Sequence, residues 1–166
     1  MKKKLLCGIS LLLVMLVTGV FWGTWFTLTR SIDSFPADNF INIGKAIIAN
    51  VGIPMRVLMP LALLMLLLLC LATLKTRGPL LLFTGALIFM VCTLLITVMV
   101  EVPIDNRIKT WTNTTVPDDW TVLRAKWARF HFYRTCTGIL SFLLLTTGVI
   151  AWLSGRDRLV FPPSGQ

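Results

Sequence analysis

GPLLLFTGALIFMVCTLLITVMV, residues 78–100, is the stretch whose reading decides the fold. Its 23 residues carry no charge. At about 1.5 Å per residue, a helix of that length crosses the roughly 30 Å hydrocarbon core of a bilayer. Lys75 and Arg77 stand just before it and Glu101 just after it. A run this long and this apolar has no place in a small soluble domain, so the rest of the chain is read for further spans.

Three more follow. Residues 5–28 form an uncharged run behind the triplet Lys2, Lys3, Lys4. No small-residue cleavage site follows it, so it reads as a retained first span rather than a signal peptide. Residues 57–74 are apolar without interruption, and Ala46 to Pro54 extends the segment upstream past Arg56. Pro54 and Pro60 are expected to kink or restart the helix there, which gives a span of about 47–74. The last span covers about 130–153. Polar outer loops are expected at 29–46 and 101–129. The fold class is all-α: a four-helix transmembrane bundle, read as one integral membrane domain over 1–166.

Composition agrees. Of the 166 residues 56% are hydrophobic and 14% charged, against about a quarter charged in soluble domains. This excludes a soluble globular enzyme, a disordered chain, a collagen and a disulfide-stapled secreted domain. The net charge of +9 comes from 16 Lys and Arg against 7 Asp and Glu. Because the basic residues flank apolar spans, the excess reads as topology and contact with anionic headgroups, not as nucleic-acid binding. Four spans put both ends on one side. The lysine triplet beside the first span places that side in the cytoplasm, in a plasma (inner) membrane. Cys7, Cys70, Cys92 and Cys136 all lie in apolar segments and form no CxxC pair, so they read as small hydrophobes. Gly19 and Gly23 form a GxxxG that would permit close approach of another helix.

The chemistry concentrates on one stripe. Trp120, Arg124, Trp127, His131 and Arg134 are spaced 4, 3, 4 and 3 residues apart. At about 100° per residue they fall within roughly 80° of one another on a helix. Pro117 precedes the stripe, Asp118 or Asp119 can cap it, and no Gly or Pro interrupts it before Thr135, so one helix is expected from the outer loop into the fourth span. The stripe either anchors headgroups or lines a polar cavity at the outer end of the bundle. Arg56 and Glu101 belong to the same level, where an Arg56–Glu101 pair is one arrangement and separate snorkelling the other. The aromatic end of the first span, with Trp22, is either an interfacial belt or a pocket wall. Pro103 and Asn106 are expected to shape a turn that lays the outer loop over the bundle mouth. Asn113-Thr114-Thr115 matches a glycosylation sequon.

Metal chemistry has little to build on, with one histidine and no HxxxH, CxxC or ExxH. A haem held by His131 stays open. No glycine-rich phosphate loop is present.

These residues carry a resemblance. Gly19-Val20-Phe21-Trp22-Gly23, then Val102-Pro103-Ile104-Asp105-Asn106-Arg107-Ile108 with Trp111, then Pro117-x-x-Trp120-x-x-x-Arg124-x-x-Trp127-x-x-x-His131-x-x-Arg134, together with the number and order of spans, resemble the anthrone-oxygenase-like family of small four-span membrane proteins. The resemblance implies oxygen-dependent oxidation of a fused phenolic substrate, an anthrone, to a quinone. It implies site roles for Asn106, Trp120, Arg124, Trp127, His131 and Arg134. His131 would take a proton, Arg124 or Arg134 would stabilise an oxyanion, and the tryptophans would stack on a planar ring. On this reading Trp22, Arg56 and Glu101 add to the binding surface, no cofactor is required, and His131→Ala abolishes turnover in a folded protein. The alternative is a non-catalytic bundle: a small-molecule or haem binder, a homo-oligomer, or a subunit docked on a membrane-protein partner.

Overall fold

The structure is a computed structural model that describes residues 2–112 and 114–155. Asn113 of the sequon, and the basic tail from Arg156, lie outside the described residues. The chain is an integral membrane protein of four helical rods, and among the described residues there is no strand.

Helix α1 is Lys2–Thr27, followed by a 3-10 turn at Thr29–Ser34. Helix α2, Ala37–Ala72, is a single helix through Pro54 and Pro60. Of the two forms open at the prolines, one long helix or a restart, the structure has the long helix, because a helix held by its neighbours tolerates the loss of a backbone bond at each proline. Helix α3, Arg77–Ile96, runs through a π-helical turn at Thr97–Glu101 into α4, Val102–Thr110. Helix α5 is Trp120–Leu153 and carries the whole stripe without a break, as its spacing predicts. Asp119 occupies the cap position of α5, yet its side chain does not cap; it lies 3.7 Å from Arg107.

Helix therefore fills much of both expected outer loops, 29–46 and 101–129. The physical reason is length. At 34 residues α5 is roughly 51 Å long, well beyond a 30 Å hydrocarbon core. A helix of that length extends past the hydrocarbon core, so polar residues near its end can be helical without lying in lipid.

Neighbouring helices close a ring, with α5 against α3 and α1, and α2 against α1 and α3. One core, around Val14, Leu66, Phe83, Met90 and Leu145, fills the bundle. A second, around Ile32, Ile41, Ile104, Ile108 and Trp127, fills the projecting end. Exposed leucines and isoleucines such as Leu64, Leu71, Ile88 and Ile150 face outward, where lipid replaces water. Hydroxyls tie helix to helix: Ser141 donates to the Ala86 carbonyl at 2.8 Å and Thr18 to the Gly138 carbonyl at 3.2 Å. Close approach uses Gly148, where a Cβ would lie 2.6 Å from Phe83 Cε1. A Cβ on Gly19 or Gly23 would meet nothing within 4 Å, so the GxxxG is not a packing face within this chain. At the far end of the bundle Lys3 Nζ donates to the Trp152 carbonyl at 2.8 Å, which puts the start of α1 beside the end of α5.

Candidate functional site

The two cores meet at Glu101, His131 and Arg134. The π turn sets the first of these. The Val102 N–H donates to the Thr97 carbonyl, five residues back, and Pro103 has no N–H to continue the ladder. The extra residue turns Glu101 inward, where it is 0% exposed. Helix α5 brings His131 and Arg134, 1% and 8% exposed, to the same point.

Arg134 Nη2 lies 3.1 Å from Glu101 Oε2 and 2.6 Å from His131 Nδ1. His131 Nδ1 is 3.9 Å from the same carboxylate oxygen, and His131 Nε2 is 3.1 Å from the Phe21 carbonyl. A guanidinium only donates and a carbonyl only accepts. The imidazole is therefore the neutral tautomer, with Nδ1 accepting from Arg134 and Nε2–H donating to Phe21. Its ring stacks on Trp127 at 5.0 Å and 16°, and meets the Phe21 ring edge-on. The Arg134 guanidinium lies 4.4 Å from the Phe21 ring centre. The Glu101–Arg134 pair is electrostatic in character: neither Glu101 oxygen, nor Arg134 Nε, has an aligned hydrogen-bond partner.

Beside this cluster is a cavity of about 480 Å³ between α1, α2, the π turn, α4 and α5. Its wall is mostly apolar, including the rings of Phe21, Phe35, Phe40 and Trp127. Its ionisable and amide groups are Arg56, Asp105, Asn106, Lys109, His131 and Arg134.

The expected site residues separate into groups. Trp127, His131, Arg134, Asn106 and Arg56 reach the cavity wall. Glu101 lies behind it, paired with Arg134 rather than Arg56; depth along the spans put Arg56 and Glu101 at one level but did not say which way each side chain turns. Arg124 is occupied elsewhere. Its Nη1 donates to the Phe35 carbonyl at 2.9 Å, it lies 3.5 Å from Asp33, and its guanidinium stacks on Trp120, whose ring meets Phe40. This group clamps the start of α5 onto the α1–α2 connection. Trp22 is 45% exposed, packs at a tilt against Trp25 and stacks on Phe26 on the outside of α1, so the structure does not bring it to the cavity. Asn106 accepts from Lys109 at 3.0 Å within α4. The turn expected at Pro103 and Asn106 is a helix instead, because Pro103 sits in a first helical turn, where its missing N–H is harmless.

The residue missed by sequence reading is Asp105. It lies on α4, beyond the apolar run that ends at Val100, and its Oδ1 accepts from Trp127 Nε1 at 3.2 Å. Burial first, and the Glu101 charge second, push its carboxyl up to about 6, against the opposing pull of Arg134, Trp127 and Lys109. The signal available was its spacing of four from Glu101, which puts the two carboxylates on one helix face.

Haem does not fit His131. Axial ligation needs a free ring nitrogen aimed at the iron, and both nitrogens are engaged. Among the described residues no three His, Cys, Asp or Glu side chains cluster as metal ligands.

No curated protein and no solved structure matches the chain. The family model described as anthrone oxygenase matches residues 49–144, more than half of the chain. That stretch holds α3, the π turn, α4 and the whole Trp120–Arg134 stripe, and so, by the part of the sequence that builds the cavity as much as by its four-helix fold, the chain belongs to the anthrone oxygenase family.

Proposed function

We propose that the chain is a membrane-embedded oxygenase that acts on a lipophilic, fused aromatic substrate of the anthrone type. One observation carries this reading: an apolar cavity, walled by aromatic rings, ends at a buried Arg–His–carboxylate cluster. A cavity of about 480 Å³ is in the range of small-molecule sites. A flat ring system fits against Trp127, and an oxygen substituent fits beside the Arg134 guanidinium, which would stabilise its negative charge. In the reaction the anthrone methylene carbon becomes a carbonyl. One atom of dioxygen enters the product and the other leaves as water, so the four electrons lost by carbon are the four that dioxygen takes. No external reductant enters this balance. The lysine triplet and the start of α1 lie at the opposite end of the bundle, which favours an outward-facing site with both termini in the cytoplasm.

The test is purified protein in lipid or detergent, given an anthrone and dioxygen. Oxygen uptake matched by anthraquinone formation is expected, at a rate above the spontaneous reaction and reduced in Arg134→Ala. An anthrone that binds without faster oxidation would leave a binding protein, the reading that the same cavity favours next.

A further inference from the structure

A reaction of this kind begins by removing a proton from the substrate, and three groups in or behind the cavity wall are candidates to take it. His131 is the obvious one by residue type, yet its two ring nitrogens are already used, Nδ1 by Arg134 at 2.6 Å and Nε2–H by the Phe21 carbonyl at 3.1 Å. Neither presents a lone pair to the cavity. Glu101 is fully buried behind the wall and paired with Arg134. Asp105 is the only carboxylate on the wall among the described residues. Its Oδ1 accepts from the Trp127 indole N–H, at the edge of the ring on which a planar substrate would stack, and its Oδ2 makes no hydrogen bond among the described residues.

We propose that Asp105 is the base that accepts the substrate proton in this cavity, and that His131 is a positioning residue that fixes Arg134 and Trp127. The assignment rests on the oxygenase reading above. The bond broken is the acidic C–H of the substrate, and the bond formed is O–H on Asp105. The electron pair stays on the substrate and delocalises to its oxygen beside Arg134. After dioxygen has taken its four electrons, the proton on Asp105 returns to the hydroxide released, which leaves as water, and the carboxylate is restored.

The groups facing Asp105 support this. Glu101 from the π turn raises its basicity; Arg134 from α5 and Lys109 from α4 hold it ionised near neutrality, and Arg56 from α2 and Asn106 from α4 share its wall. His131, on α5, is neutral. A carboxylate is a base only when ionised, so the activity is present above about pH 6 and lost as pH falls through it.

The experiment uses the full chain in detergent, without oxygen, in D2O. Exchange of the anthrone methylene hydrogens for deuterium is followed by mass spectrometry, with dioxygen uptake measured separately. Wild type is expected to accelerate exchange, with a rate that rises through about pH 6. Asp105→Asn keeps an acceptor for the Trp127 N–H and should lose about 100-fold or more, while its melting temperature is no lower than wild type. His131→Gln keeps a donor for Phe21 and an acceptor for Arg134, and should slow exchange through the loosened Arg134 and Trp127 while keeping the same rise through about pH 6. Undiminished exchange in Asp105→Asn, loss of the pH rise in folded His131→Gln, or no acceleration by wild type would each overturn the assignment. Exchange that depends on Asp105 without dioxygen uptake would instead overturn the oxygenase reading and leave Asp105 as a base.

Discussion

His131 is fixed on four sides: by Arg134, the Phe21 carbonyl, the Trp127 ring and the Phe21 ring edge. Truncating a group of that kind removes packing and leaves buried polar partners unsatisfied, and each effect costs of order 1–3 kcal/mol. His131→Ala is therefore expected to lower stability by roughly 2–4 kcal/mol, visible as a lower melting temperature, in contrast to the intact fold that a purely catalytic histidine would leave. Asp105 should behave in the opposite way. Its carboxyl is raised from 3.8 to about 6, so the folded state disfavours the charge. Relative stability from this group is full below its unfolded value and is lost as pH climbs from about 4 to 6. Asp105→Asn should then melt at or above wild type at pH 7.5, and the advantage should vanish near pH 4. Much of this residue-scale picture was legible. The Trp120–Arg134 stripe follows from period alone. The partners do not, since Glu101 and Asp105 are aimed by a π turn that no periodicity announces, and Arg124 and Trp127 share one stripe yet serve different structures.

Among the helices, the tightest approach is α3 to α5 at Gly148. A Cβ there would lie 2.6 Å from Phe83 Cε1 and 2.9 Å from Cδ1, and Phe83 is fully buried against Trp152. Gly148→Ala is expected to destabilise by about 1–3 kcal/mol through overpacking. Gly19→Ala has open space and should be neutral or slightly stabilising, since alanine is the better helix former by about 1 kcal/mol. Paired melting curves of the two variants check this. Element existence was written in the apolar runs, and the unbroken α5 in its lack of Gly and Pro. Element extent was not. Residues 102–110 look like loop by their Pro, Asp, Asn and charges, and they become helix because Ile104 and Ile108, four apart, close onto the outer core.

For the molecule as a whole, the empty volume beside the cluster is the feature that separates this bundle from a filled one. Gly52 lies on its wall, and a Cβ there meets nothing within 4 Å. Gly52→Leu should occupy that space without strain. The expected result is a KM raised about tenfold or more with an unchanged melting temperature, read from parallel turnover and unfolding assays; a tenfold change corresponds to about 1.4 kcal/mol of lost binding.

The cavity lies in a bundle that spans a bilayer, and a lipophilic substrate of the proposed kind dissolves in that same lipid before it ever meets the protein. What the site senses is then a mole fraction in the bilayer, not a concentration in the tube. Adding protein-free vesicles at constant total substrate should slow turnover by surface dilution, and restoring the substrate-to-lipid ratio should bring the rate back.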